Sequence, residues 1–141
     1  MKRKSAAAPG KIKTTDSEKI TINLGFVDLG HIDLLVSEGF YGNRTDFIRT
    51  AIRNQLSAQS EAVKQVMARK MLVLGLQNFT ADDLRAVKAA KQKLQIRVLG
   101  LATIANDVTP ELALATIASM DVLGALHASP AVKAALAGRH R

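Results

Sequence analysis

The chain has 141 residues, of which 48 % are hydrophobic, so it can bury the core of one or two small domains. It contains no cysteine, which excludes a disulfide scaffold and thiolate metal sites. Its formal net charge is +8, and this surplus favours polyanionic partners, nucleic acid first and anionic membrane second.

The first 17 residues are expected to form a basic, disordered arm, since they combine small residues with positive charge. Two interpretations stay open: a solvated terminus, or an arm that lies on DNA phosphates. No apolar run follows, so we expect neither a secretory signal nor a membrane span, and a cytoplasmic protein near the nucleoid. The basic residues of the arm are Lys2, Arg3, Lys4, Lys11 and Lys13.

Residues 18–26 alternate between polar and apolar side chains, which is typical of a β-strand with one dry face. The polar set is Lys19, Thr21 and Asn23, and the apolar set is Ile20, Ile22 and Leu24. A lone strand cannot satisfy its own hydrogen bonds, and no similar strand lies nearby in the chain. We therefore expect it to pair with its copy in a second chain, as an antiparallel ribbon.

Two helical segments follow, from Asp28 to Glu38 and from the turn at Asn43 to Leu56, with apolar residues spaced by three and four. Asn43 is a favourable N-cap, and Asp46 lies three residues on, as in a capping box. These residues either simply start a helix or also present its amides to a phosphate.

Strand, short helix, Gly-containing turn and second helix resemble the ribbon-helix-helix family of DNA-binding proteins, over about residues 17–57. The turn Gly42-Asn43-Arg44-Thr45 is similar to the signature of that family, as is Phe47-Ile48-Arg49 after it. The resemblance implies an intertwined homodimer whose two-stranded ribbon enters the major groove.

The resemblance also implies roles for individual residues. The expected base contacts are Lys19, Thr21 and Asn23, and the expected phosphate contacts are Gly42, Asn43, Arg44 and Thr45. The expected dimer core is Ile20, Ile22, Leu24, Ile32, Phe47, Ile48 and Ile52. In this arrangement the polar face of the ribbon reads base edges, while the start of the second helix sets the register on the backbone.

Residues 58–70 have good helix propensity and are expected to form a helical connector. In residues 71–141 the motif Val-Leu-Gly occurs three times, starting at Val73, Val98 and Val122. Each motif is followed by a Ser or Thr that can cap a helix. This spacing predicts stacked strand–helix units with a parallel sheet, loosely solenoid-like; the alternative is an irregular helical domain. The predicted fold class is thus α+β.

The third repeat unit is interpreted as cut short and poorly capped, so the second half is expected to join subunits into a firmer dimer, a tetramer or a longer array. The favoured function is a sequence-specific DNA-binding protein of bacterial type, a transcriptional repressor at an inverted-repeat operator. The alternatives are a DNA-organising or plasmid-partition protein, and an antitoxin whose second half binds a toxin. Neither an enzyme, a cofactor nor a metal site is expected.

Overall fold

The computed structural model describes residues 17–140, which form two compact units, one ending at Glu61 and the other beginning at Ala62. The five predicted basic residues of the arm lie outside the described residues. In chain order the elements are α1 (Phe26–Ser37), α2 (Arg44–Ala58), α3 (Ser60–Lys70), β1 (Val73–Phe79), α4 (Ala81–Ala89), β2 (Leu94–Ile104), α5 (Pro110–Thr116), β3 (Ile117–His127), α6 (Pro130–Leu136) and a short 3-10 helix (Ala137–Arg139).

The amino-terminal unit consists of an extended segment followed by α1 and α2. Helix α1 begins two residues before the predicted Asp28, because Gly25 takes the extended backbone of an N-cap. Helix α2 begins just after Asn43, whose side-chain oxygen accepts a hydrogen bond from the Asp46 amide at 2.8 Å, so the predicted N-cap is confirmed. The ring of Tyr41 packs edge-on against Phe47, with 5.0 Å between the ring centroids.

The carboxy-terminal unit contains a three-stranded parallel sheet in the order β1-β2-β3. The three Val-Leu-Gly motifs lie side by side, because Gly75 pairs with Gly100 and Gly100 with Gly124. The central strand β2 covers the mostly apolar run 94–104, which contains the second motif. The alternative of an irregular helical domain is therefore wrong. The three strands contain 7, 11 and 11 residues.

Each strand is followed by a helix whose first turn is capped by a hydroxyl side chain. The hydroxyl groups of Thr80, Thr109 and Ser129 accept hydrogen bonds from amides three residues on, at 3.1–3.2 Å. Thr80 and Asp83 form a complete capping box, since the Asp83 carboxylate also accepts a hydrogen bond from the Thr80 amide at 2.9 Å. The N-caps predicted for all three helices are confirmed, and each satisfies an amide that the helix itself leaves unpaired.

The core of this unit lies between one face of the sheet and helices α4, α5 and α6. Its buried members are aliphatic: Ala81, Leu84, Ile96, Val98, Ala102, Ile104, Val108, Ala113, Ile117, Met120, Val122, Val132 and Leu136. Alternate residues of β2 point into this core, as the period of two requires.

The third strand–helix unit is complete, and the prediction that it is cut short is wrong. After α6 the chain returns to the sheet, where His140 forms a bridge with Met120 on the edge strand β3. The Arg139 guanidinium donates to the carbonyl oxygens of Leu114 and Ile117, at 2.6 and 2.8 Å. This return covers part of the β3 edge; the solenoid-like description of the region stays a prediction.

Candidate nucleic-acid interface

The ribbon strand was expected over residues 18–26. In the single chain residues 17–25 belong to no helix or strand, and Phe26 is the first residue of α1. The polar residues of this segment, Lys19, Thr21 and Asn23, are exposed, and so is its apolar side: Ile20 is 74 % and Ile22 59 % accessible. A strand is defined by hydrogen bonds to a neighbour, and the described part of one chain supplies none to this segment. The alternating pattern of this segment is therefore that of a β-strand whose hydrogen-bonding neighbour has to come from outside the described part of the chain.

The residues expected to form a dimer core are mostly open in one copy. Ile32 is buried, Phe47 and Ile48 are half-buried, and Ile52 is exposed. A groove of about 320 Å³ runs between the end of the extended segment and the two helices, lined by Leu24, Asp28, His31, Ile32 and Phe47. Burying apolar surface gains roughly 25 cal/mol per Å², so a further layer over these residues would stabilise the unit.

The start of α2 offers two free backbone donors. The Asp46 amide donates to the Asn43 side chain, and the Asp46 carboxylate accepts a hydrogen bond from the Gly42 amide at 2.9 Å. In a capping box this carboxylate would instead accept from the Asn43 amide. Within residues 17–140 no acceptor reaches the amides of Arg44 and Thr45. These two N–H groups, with the positive end of the helix dipole, suit an anion, although the Asp46 carboxylate beside them opposes it.

Arg44 is held by an acid on the preceding helix. Its Nε and Nη2 atoms donate to the two carboxylate oxygens of Asp33, each at 2.8 Å. These hydrogen bonds lower the pKa of the Asp33 carboxyl group and raise the pKa of Arg44. The sequence-based expectation aimed Arg44 at a phosphate and did not find this pair, since its members lie 11 residues apart and share no local pattern.

The positive charge of the chain lies mainly outside the amino-terminal unit. Residues 17–61 contain four Lys and Arg against six Asp and Glu, a net charge of −2. Residues 1–16 contain five against one, and residues 62–141 contain eleven against five. Long-range attraction to a polyanion must therefore come from the two flanking regions rather than from the helices that carry the expected phosphate contacts.

The described residues contain neither a cluster of metal ligands nor a helix that could span a membrane. Between residues 17 and 140, no group of three His, Cys, Asp or Glu side chains is placed to hold a metal ion. None of the helices in that range is both long and apolar enough to cross a membrane.

Comparison with known proteins places both units in one family. The model of the ribbon-helix-helix transcriptional regulator family matches residues 15–133. Neither a curated protein nor a solved structure matches the chain significantly. The sequence resemblance covered only about residues 17–57, whereas the family model extends through the strand–helix repeats as far as α6. Because the match spans most of its length, the chain belongs to the ribbon-helix-helix transcriptional regulator family.

Proposed function

We propose that this DNA-binding regulator acts as a homodimeric, sequence-specific repressor, in which the segments 18–26 of two copies pair as an antiparallel ribbon in the major groove. The observation that carries the proposal is the segment that precedes Phe26, which alternates in polarity, is open on both sides and has no partner strand among residues 17–140 of its own chain. Pairing satisfies its backbone, buries Ile20, Ile22 and Leu24 on the helices, and leaves the polar face outward.

The outward face carries side chains suited to base edges. Lys19 can donate to guanine, Asn23 can form a bidentate pair with adenine, and the Thr21 methyl and hydroxyl groups suit a thymine methyl or a base-edge acceptor. Two-fold symmetry repeats the set on the second strand, so the operator is an inverted repeat. Occupancy of such a site at a promoter excludes the transcription machinery.

Phosphate contacts at the start of α2 fix the register of the ribbon on the duplex. The donors are the free amides of Arg44 and Thr45 and the Thr45 hydroxyl group, while Gly42 and Asn43 shape the turn through their bonds to Asp46. The Arg44 side chain mainly ties α2 to α1, because Asp33 already balances its charge. The basic arm then supplies the positive charge that the helices lack.

A second candidate function, DNA organisation through linked dimers, is favoured by one observation. Residues 62–141 carry a net charge of +6 and an apolar sheet face, so they combine attraction for DNA with a surface for assembly. Specific repression and linked binding differ in measurable ways: the first shows a preferred sequence at low occupancy, whereas the second shows cooperativity on any long duplex.

The test selects binding sites from a random duplex library with the full-length protein, followed by anisotropy titrations on the recovered site. Thr21→Ala with Asn23→Ala should weaken specific binding by about 1–3 kcal/mol per lost base contact and leave binding to unrelated DNA unchanged. Asn54→Ala, on the exposed surface of α2, is the matched control. Full specific affinity in the double variant, with normal circular dichroism, would contradict the proposed ribbon readout.

A further inference from the structure

The parallel sheet of the carboxy-terminal unit has a second face, opposite the helices, that is apolar and open. We name it the leucine face; its members are Leu74, Leu76, Leu99, Leu101, Leu123 and Ala125. Cα pairing places them in two rows across the strands, one through Leu99 and one through Leu101. Leu74 is 70 %, Leu76 71 % and Leu123 44 % accessible, so the edges of the face stand in solvent.

An open face of this kind is unusual for a parallel sheet, because such sheets occur almost only with both faces covered. Here α4, α5 and α6 cover one face of the sheet. On the opposite face, no further described element of this unit buries the leucines of the outer strands. Contiguous exposed leucines on a rigid surface mark an interaction site.

The composition of the surface favours an identical copy as its occupant. The rows of leucine are flanked at one end by Arg97 and Asp121, which are Cα partners, and at the other by the polar row Asn78, Thr103 and His127. An apolar centre with a polar rim is the pattern of a protein interface. The unit as a whole is basic, but the two formal charges on this face, Arg97 and Asp121, cancel, so the face adds no like-charge repulsion where two copies meet.

We propose that the leucine face packs against the leucine face of a second copy of this chain, sheet on sheet. The proposal rests on the proposed ribbon dimer, which holds two copies of the sheet together and gives each a high effective concentration of the other. Packed sheets lie about 10 Å apart with interdigitated side chains, and the two leucine rows then form a second apolar core shared by the subunits. The face contact assigns the second half of this chain to assembly rather than to capture of a different protein.

The absence of cysteine from the natural chain makes a cross-linking test clean. Three full-length single-cysteine variants are treated with a bis-maleimide that spans about 10 Å, the spacing of packed sheets. Leu101→Cys lies at the centre of the leucine face, Thr21→Cys reports on the ribbon, and Lys88→Cys on α4 reports on the helix-covered side. Covalent dimers are expected from Leu101→Cys and Thr21→Cys and only background from Lys88→Cys.

A second set of variants asks whether the leucines themselves hold the contact. Leu74→Gln with Leu76→Gln, in the Leu101→Cys background, should reduce cross-linking about tenfold or more, since the change removes two exposed apolar contacts per copy. Met71→Gln is the matched control, because Met71 is equally exposed, at 66 %, but precedes the sheet. Circular dichroism verifies that each variant is folded.

The outcomes separate the two proposals. Cross-linking at the ribbon without cross-linking at Leu101 overturns the leucine-face contact and leaves the ribbon dimer standing, with a different protein as the remaining occupant of the face. Cross-linking at Leu101 alone overturns the ribbon dimer and keeps the face. Equal loss from the Met71→Gln control and the leucine pair would also reject the face, because the effect would not depend on where the side chain lies.

Discussion

The glycine row at the centre of the sheet gives a sharp test of the packing between strands. At Gly100 the backbone has φ +142°, and an added Cβ would lie 2.2 Å from the Gly75 carbonyl oxygen. Gly75, on the outer strand, has φ +117° but nothing within 4 Å of an added Cβ. Alanine at either position meets the backbone strain, whereas alanine at Gly100 also meets the neighbouring strand.

These two terms set the expected magnitudes. The strain of placing alanine in this region of backbone space costs about 1–3 kcal/mol, and this is the whole effect expected for Gly75→Ala. For Gly100→Ala, ordinary contact begins near 3.4 Å, so the strands must separate locally by about 1 Å. That weakens roughly two ladder hydrogen bonds worth about 1 kcal/mol each, for a total of about 3–5 kcal/mol. Such a loss is a large part of the stability of a small domain.

Hydrogen–deuterium exchange of peptides from β1, β2 and β3 is the suitable assay. The chain has no Trp, and its single Tyr, Tyr41, lies in the other unit, so intrinsic fluorescence does not follow the sheet. Gly30→Ala is the control, because Gly30 is helical with open space around it and should not alter exchange in the sheet. Equal opening free energies for Gly75→Ala and Gly100→Ala would refute the close approach of the two strands.

Four further predictions concern charge and capping. Deletion of residues 1–15, which hold five Lys and Arg, should reduce the magnitude of the slope of log affinity against log salt by up to about 4.5 units, and an unchanged slope would show that the arm makes no phosphate contact. Arg44→Ala should lower that slope by clearly less than one unit, because Asp33 already balances the charge. The pKa of Asp33 is lowered in the folded chain, so its pair with Arg44 stabilises the fold at pH values above the ordinary aspartate pKa. This stability is lost as the pH falls through the lowered pKa. Acid titration by circular dichroism should show the loss in the natural chain and not in Asp33→Asn. Thr80→Ala should destabilise α4 by about 1 kcal/mol in hydrogen exchange, whereas Thr50→Ala, at a half-buried position of α2 in the other unit, should leave α4 unchanged.

The parts of the fold that were predicted correctly are those whose sequence pattern lies within one element or one repeat. The central strand was placed correctly because residues 94–104 form a long and mostly apolar run. Thr80, Thr109 and Ser129 were recognised because an N-cap acts on an amide three residues away. Parallel pairing followed from a repeat of nearly constant length. In each case the interaction that decides the structure lies within one element or one repeat.

The parts that failed depend on contacts distant in the chain. The bond of Arg44 to Asp33 joins two helices, and the bridge of His140 to Met120 joins the chain end to an edge strand, and neither has a spacing that a pattern can detect. The leucine face was hidden for a different reason. A continuous apolar run indicates a strand that is buried on both sides, so it cannot tell which side the chain's own helices leave open.

The strength of the leucine-face contact can be estimated from the exposed leucines, and it bears on where the second copy comes from. Each copy exposes close to two leucine side chains at Leu74, Leu76 and Leu123, worth about 3–6 kcal/mol when buried, or about 6–12 for the pair. Association of free molecules costs about 4–15 kcal/mol, so between separate dimers the contact is weak at micromolar concentration.

Within one ribbon dimer most of that association cost has already been met, because the second sheet is tethered at an effective concentration in the millimolar range. Cross-linking of Leu101→Cys should therefore stay constant when the protein is diluted about a hundredfold, as long as Thr21→Cys still cross-links through the ribbon. A yield that falls with dilution while ribbon cross-linking persists would show that the leucine face bridges separate dimers. In that case binding to adjacent operators would be cooperative. The second half of the chain would then set the spacing between neighbouring dimers on DNA, rather than hold together the two subunits of one dimer.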